Sequence, residues 1–274
     1  MIVVLIGTIV SSTNGVPARL PKSARTLAAA VNDSSPFRAA CHRTFEFNPP
    51  LEESCLFGDP AASPDAVVWG DSHGVELSEA FSPWMAAAGR SLLQLTYSSC
   101  PPAQDLESPL QMGCQQFGQS VLAYLIDHPG LRYIYLSTYY DLYSDQAPVL
   151  WTGLRNTIEQ LSAAGKIITI VAPIPSPGYS VPQAAARRSM LSPDASLTMP
   201  RNTHVRHVRE VASQIARLEA EFPQLEVLDP AEALCGVECQ FVAEGHPLLF
   251  DDNHLSRHGA AIVAEYYWAN GGQK

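Results

Sequence analysis

Five short β-type runs, at 65–69, 92–96, 131–137, 166–171 and 225–228, alternate with helical patterns at 75–88, 115–127, 149–164, 202–222 and 255–269. Within the runs apolar side chains follow one another instead of alternating with polar ones, so each strand needs cover on both faces. A parallel sheet with helices packed on either side meets that need, and the alternation supplies the helices in the right order. The pattern predicts an α/β fold, a three-layer α/β/α sandwich around a parallel sheet. At 274 residues, 46% hydrophobic and 16% charged, the chain has apolar material for one such core. Sheets of this kind bind ligands at the carboxyl ends of their strands.

Other segments fall outside the alternation. Residues 1–10 are uncharged and almost wholly apolar. A bilayer crossing takes about 20 such residues, and no basic residue precedes Arg19, as a signal peptide would require. The segment reads as the tail of a transmembrane helix that begins upstream, with 11–25 as the membrane exit; an ordinary buried strand is the plainer alternative. Residues 26–64, rich in Pro, Ser and polar residues, read as an irregular extension, and 65–274 as the main domain. The longest break in the pattern, 172–200, holds six prolines. It reads as a lid or binding element, or else as a plain surface excursion.

Six cysteines fall into local pairs: Cys41 with Cys55, Cys100 with Cys114, and Cys235 with Cys239. An even count at short spacings points to disulfides and an oxidising compartment; each loop of about 15 residues would contribute roughly 3 kcal/mol in the chain-entropy model. No CxxC occurs, so a thiolate zinc site is not expected. The net charge of −10 argues against nucleic acid as a partner, because phosphate backbones are bound by excess Lys and Arg.

The strongest local signal is Trp69-Gly70-Asp71-Ser72-His73-Gly74, set between a buried run and a helix. A serine there sits at a strand's carboxyl end and a helix's N-terminus, where outward N–H groups and the helix dipole favour an alkoxide or an oxyanion. Serine is also a preferred helix cap, which is the structural alternative. A hydroxyl nucleophile needs a base, and Phe250-Asp251-Asp252-Asn253-His254-Leu255-Ser256 supplies one. Asp251 and His254, three apart on a turn entering a helix, place a carboxylate on one imidazole nitrogen and leave the other for Ser72. In this reading Asp71 orders the turn, His73 shapes the pocket mouth and Asp252 caps the last helix.

These two blocks resemble the SGNH (GDSL-like) hydrolases, whose first block is a GDS turn and whose last is DxxH. The stretch Val-Val-Trp-Gly-Asp-Ser-His, the segment Tyr-Ser-Ser-Cys-Pro-Pro at 97–102, the paired cysteines and Asp-Asp-Asn-His-Leu-Ser with Gly259-Ala260 are closer to one branch. That branch is the periplasmic domain fused to acyltransferase-3 membrane proteins that O-acylate surface polysaccharides. The resemblance spans nearly the whole chain. It implies a flavodoxin-like sheet, a Ser72–His254–Asp251 triad, no cofactor and no metal. It also implies a glycan acceptor, an acyl donor (acetyl) delivered by a membrane domain of the same longer chain, and tethering at the periplasmic side of the inner membrane.

The chain departs from the family pattern at the oxyanion. The third block's Asn is missing, since that run ends Leu136-Ser137-Thr138-Tyr139, and the loop Ser98-Ser99-Cys100 occupies the place of the second block's glycine, which leaves the Ser72 backbone N–H as the one expected oxyanion donor. Pocket candidates are therefore Gly70, Asp71, His73, Ser99, Thr138 and Tyr139. Tyr139, Tyr140 and Tyr143 with Trp151 read either as a sugar platform or as core and rim. The alternatives are a carbohydrate acylesterase, a glycan-binding domain with an inactive site, and a two-metal phosphoesterase, for which the further ligands are lacking. His204 and His207 read as a solvated helix face.

Overall fold

A computed structural model of the chain describes residues 20–108, 110–192 and 196–272. The expected membrane-helix tail at 1–10, and most of the exit segment, lie outside the described residues. Among the described residues no helix is long and apolar enough to cross a membrane.

The first half runs α1 (Lys22–Ala29), α2 (Arg38–Cys41), β1 (Leu56–Gly58), β2 (Pro64–Gly70), α3 (Val75–Ala87), β3 (Ser91–Thr96) and α4 (Cys114–Asp127). Then come β4 (Tyr133–Ser137), α5 (Ala147–Ala163), β5 (Ile167–Val171), α6 (Val181–Leu191), β6 (Thr198–Pro200), α7 (Arg201–His207) and α8 (Arg209–Glu221). The chain closes with β7 (Glu226–Leu228), α9 (Pro230–Leu234), β8 (Glu238–Gln240) and α10 (Arg257–Ala269).

The main sheet has the order β1-β3-β2-β4-β5-β7, parallel except for the antiparallel edge strand β1. Side chains alternate between two cores, as a strand covered on both faces requires. Val67 and Trp69 of β2 pack on one side with Phe117 of α4, Leu154 of α5 and Ile215 of α8. Ala66 and Val68 pack on the other with Phe81 of α3, Val181 of α6 and Val263 of α10. The predicted three-layer parallel sandwich is the observed one.

The chain passes from β2 to β3 on one side and then crosses to β4 on the other. The strand order reverses at β2, and in open parallel sheets the crevice at such a reversal is where ligands sit. Gly70 ends β2 there because nothing larger fits: a Cβ on it would collide with the Ser137 carbonyl oxygen of β4. Backbone closeness sets the residue.

Three expectations change. The stretch 26–64 is more regular than its composition suggests; β1 pairs with β3, and Cys41–Cys55 ties α2 to it. The break at 172–200 contains a full helix, α6, because Pro182 stands in its first turn, where its missing N–H costs nothing. The run at 202–222 is divided at Val208, so that α7 buries His204 while α8 buries Ile215 and Leu218. The cysteines pair as the spacing indicated, with Cys100–Cys114 and Cys235–Cys239 as the other two bridges.

Overpacking at Gly70 gives a direct test. Gly70→Ala should lose about 3 kcal/mol in urea unfolding, whereas Gly130→Ala, with open space around its Cα, should stay within about 0.5 kcal/mol of wild type.

Candidate active site

Ser72 opens a short 3-10 turn between β2 and α3. The cap of that turn is Asp71, whose Oδ1 accepts the His73 N–H at 3.0 Å. The Ser72 hydroxyl is therefore not spent on capping. Asp71 Oδ2 also accepts the Tyr139 N–H at 2.6 Å, bridging the ends of β2 and β4. Burial raises the Asp71 carboxyl to about 6, the two backbone N–H donors holding it from rising further.

Ser72 Oγ lies 2.8 Å from His254 Nε2. On the other side of the ring, His254 Nδ1–H donates to Asp251 Oδ2 at 2.7 Å. Asp251 Oδ1 accepts the backbone N–H groups of Asn253 (2.9 Å) and His254 (2.7 Å), which locks the turn that its sequence spacing implied. With the proton held on Nδ1, Nε2 presents a lone pair to the serine hydroxyl. Burial alone would raise the Asp251 carboxyl, but the hydrogen bonds and charge of His254 outweigh it and hold it at about 2.

Two further histidines stand close by and are held neutral. His73 donates from Nε2 to Asn253 Oδ1 at 3.1 Å and stacks on the Tyr139 ring, centroids 4.6 Å apart. Burial, then the nearby His254, holds His73 well below the usual imidazole range. His42 Nδ1 lies 2.9 Å from Thr96 Oγ1, and burial, followed by the charges of Arg38 and His254, lowers it to about 3. Of the three rings, His254 is the one seated on a carboxylate.

The backbone N–H groups of Ser72 and Ser99 donate to no other described residue. Ser99 has φ +48°, the left-handed conformation that a glycine would take without strain. Thr138 is buried, and its hydroxyl has no partner among the described residues. Of the three tyrosines, Tyr139 is the one in contact with the site, through its stacking on His73. Tyr140 donates its hydroxyl to the Val171 carbonyl and stacks on Trp151, and Tyr143 is wholly buried, so these belong to the core instead of a platform.

Other expected roles shift. Asp252 does not cap the last helix; Ser256 does, accepting the Gly259 N–H at 3.0 Å. Asp252 instead accepts the Ser176 hydroxyl on its carbonyl (2.6 Å), and the Asp251 carbonyl accepts the Val181 N–H (2.9 Å). The proline-rich segment thus scaffolds the His254 loop. His204 is buried, and exposed His207 bonds Asp141 at 2.9 Å, so the two do not form a common site.

Arg38, from the extension, was invisible to sequence reasoning. It donates to both carboxylate oxygens of the buried Glu76 (3.1 and 2.6 Å) and to the Ser72 carbonyl (3.2 Å). Its guanidinium also lies 5.3 Å from the centroid of Phe250, which stacks on His254 at 5.2 Å. A lone arginine 34 positions from the serine carries no motif; its acceptors are a carbonyl and a glutamate that only the fold brings near.

Two stability measurements probe these contacts. The depressed Asp251 carboxyl stabilises the fold above its unfolded pKa, and the contribution is lost as pH falls through the folded value. The gap between wild type and Asp251→Ala should be about 1 kcal/mol at pH 6, after allowing for solvent screening of a side chain 35% exposed. It should close between pH 4 and 2. Arg38→Ala leaves the buried Glu76 carboxylate unpaired and should cost about 3 kcal/mol; adding Glu76→Gln should recover part of that loss, and a purely additive double variant would show that the pair is not coupled.

The model of the family described as the SGNH domain fused to AT3 domains matches residues 40–269. Among curated proteins no sequence matches this chain significantly. Among solved structures, the Salmonella ser. Paratyphi A lipopolysaccharide acetyltransferase periplasmic domain aligns at a TM-score of 0.66 and 14% identity, covering 93% of this chain and 99% of that one. A carbohydrate acetylesterase family member from Sinorhizobium meliloti aligns at 0.47 and 13% identity, covering 76% of this chain and 97% of that one. The first likeness shows a shared fold, and the family match spans the stapled extension from residue 40 to the last helix: the chain belongs to the family of SGNH domains fused to AT3 domains.

Proposed function

We propose that this chain is the acyl-transferring domain of an O-acetyltransferase that modifies a cell-surface polysaccharide through an acyl-enzyme on Ser72. The observation that carries the reading is the line Asp251 Oδ2, His254 Nδ1, His254 Nε2, Ser72 Oγ, with contacts of 2.7 and 2.8 Å at its two joints. His254 takes the Ser72 proton as Oγ attacks the donor's acyl carbonyl, and Asp251 stabilises the imidazolium that forms. The tetrahedral oxygen is met by the N–H groups of Ser72 and Ser99, with the Thr138 hydroxyl standing in for the family's missing Asn. Collapse returns the proton to the leaving group. A glycan hydroxyl then attacks the ester with His254 as base, which regenerates Ser72 and releases the acylated glycan.

Family membership supports an AT3 membrane domain in the same longer chain as the source of the acetyl group, and hence a site on the periplasmic side of the inner membrane. The lipopolysaccharide acetyltransferase likeness supports a polysaccharide acceptor. No cofactor enters the scheme. Water competes with the acceptor, because the His254 side chain is 19% exposed.

That competition makes a simple assay informative. The protein should hydrolyse 4-nitrophenyl acetate, and Ser72→Ala or His254→Ala should each lower kcat by about 10³-fold or more, with Asp251→Asn close behind. Equal rates in wild type and Ser72→Ala would remove the acyl-enzyme.

A further inference from the structure

Between the stapled extension and α4 lies an open cleft of about 480 Å³, within the size range of ordinary ligand sites. Phe45 and Asn48 line it from the extension, Gln116 and Ser120 from α4, and the buried Tyr97 and Phe117 lie at its base. No charged residue lines it. The side-chain amides of Asn48 and Gln116 are engaged by no other described residue. Phe45 is 57% exposed, and Phe47 beside it 42%. Disulfides Cys41–Cys55 and Cys100–Cys114 brace the segments on both sides, so the cleft is held open by covalent links.

The surrounding charge is negative. Glu46 sits between the two exposed phenylalanines, and Glu107 accepts the N–H groups of Gly113 (2.9 Å) and Gln115 (3.0 Å) at the start of α4. The nearby cation, Arg43, is buried beneath Phe117 and spends its donors on the Pro50 carbonyl and Ser54 Oγ. Exposed aromatic faces, unengaged amides and a hydroxyl without an available cation suit one class of ligand. The C–H faces of an uncharged saccharide stack on aromatic rings, its hydroxyls pair with amide donors and acceptors, and the acidic rim disfavours anions.

The cleft's base adjoins the nucleophile's strand. Tyr97 follows β3, its N–H donates to the Gly70 carbonyl at 2.9 Å, and the loop carrying Ser99 begins at its next residue. Resting on the Ser72 reading above, we propose that this cleft is an acceptor subsite for a neutral oligosaccharide. One part of the glycan is held here while another residue of the same chain offers its hydroxyl to the Ser72 ester. A site and subsite on neighbouring strand ends are filled together by a polymer and not by a single sugar.

The test is binding without turnover, on an array of neutral and acidic oligosaccharides, with the intact chain, Ser72→Ala, and Phe45→Ala combined with Gln116→Ala. Neutral oligosaccharides should bind the intact chain and Ser72→Ala alike, and bind the double variant at least about 10-fold more weakly. Thermal melting of that variant shows whether it is folded, and chemical-shift changes at Phe45 and Gln116 in the intact chain give the same answer without a variant. Binding of no neutral oligosaccharide, binding only of acidic ones, or neutral binding that leaves Phe45 and Gln116 undisturbed overturns the proposal. So does a dimer in sedimentation that the double variant dissolves, since the face would then belong to a second copy. Failure of the acyl-enzyme is read separately, in the ester hydrolysis of Ser72→Ala.

Discussion

One buried carboxylate fixes the turn on which Ser72 stands. Asp71 receives the His73 N–H from its own turn and the Tyr139 N–H from the end of β4, so it fastens together the two strand ends between which the crevice opens. Its burial is costly, as the upward displacement of its carboxyl to about 6 records. The return is geometric. With Asp71 capping the turn, the Ser72 hydroxyl is released from a structural task, and its backbone N–H, at the start of the short turn that leads into α3, donates to no other described residue.

From that fixed point the remaining parts are brought in by separate elements. The last helix and the loop before it deliver His254 and Asp251, and the proline-rich segment steadies that loop through the Asp251 and Asp252 carbonyls. The extension delivers Arg38 to the Ser72 carbonyl and over Phe250, which stacks on His254. His254 is held by its near neighbours Asp251 and Phe250, and these are supported in turn by residues far apart in the chain, Val181 and Arg38. Such bracing fixes the orientation of the imidazole relative to the Ser72 hydroxyl.

Two residues on the loops beside Ser72 are held in ways that a purely structural role does not explain. Ser99 takes a left-handed φ where glycine is the unstrained choice, and Thr138, just after β4, buries a hydroxyl with no partner among the described residues. Strain and an unsatisfied polar group are both unfavourable in a site with no further purpose, and such features gather where a ligand completes them.

Much was legible in the sequence because it is encoded locally. Runs apolar at consecutive positions specify strands buried on both faces; Gly70-Asp71-Ser72 specifies a tight strand-to-helix turn; Asp251 and His254 at a spacing of three specify a carboxylate–imidazole contact within one turn. The six cysteines likewise paired with near neighbours, where chain proximity leaves few choices. What the sequence left open depends on partners distant along the chain. Glu76 and Arg38 meet only after α2 folds onto α3, and Asp71 Oδ2 finds the Tyr139 N–H only because β4 lies beside β2. The tyrosines after β4 divide between core and site according to which way each ring faces in the packed molecule. Local spacing fixes the turns and the order of the layers, but long-range packing alone decides which polar groups end up satisfied and which remain free to act.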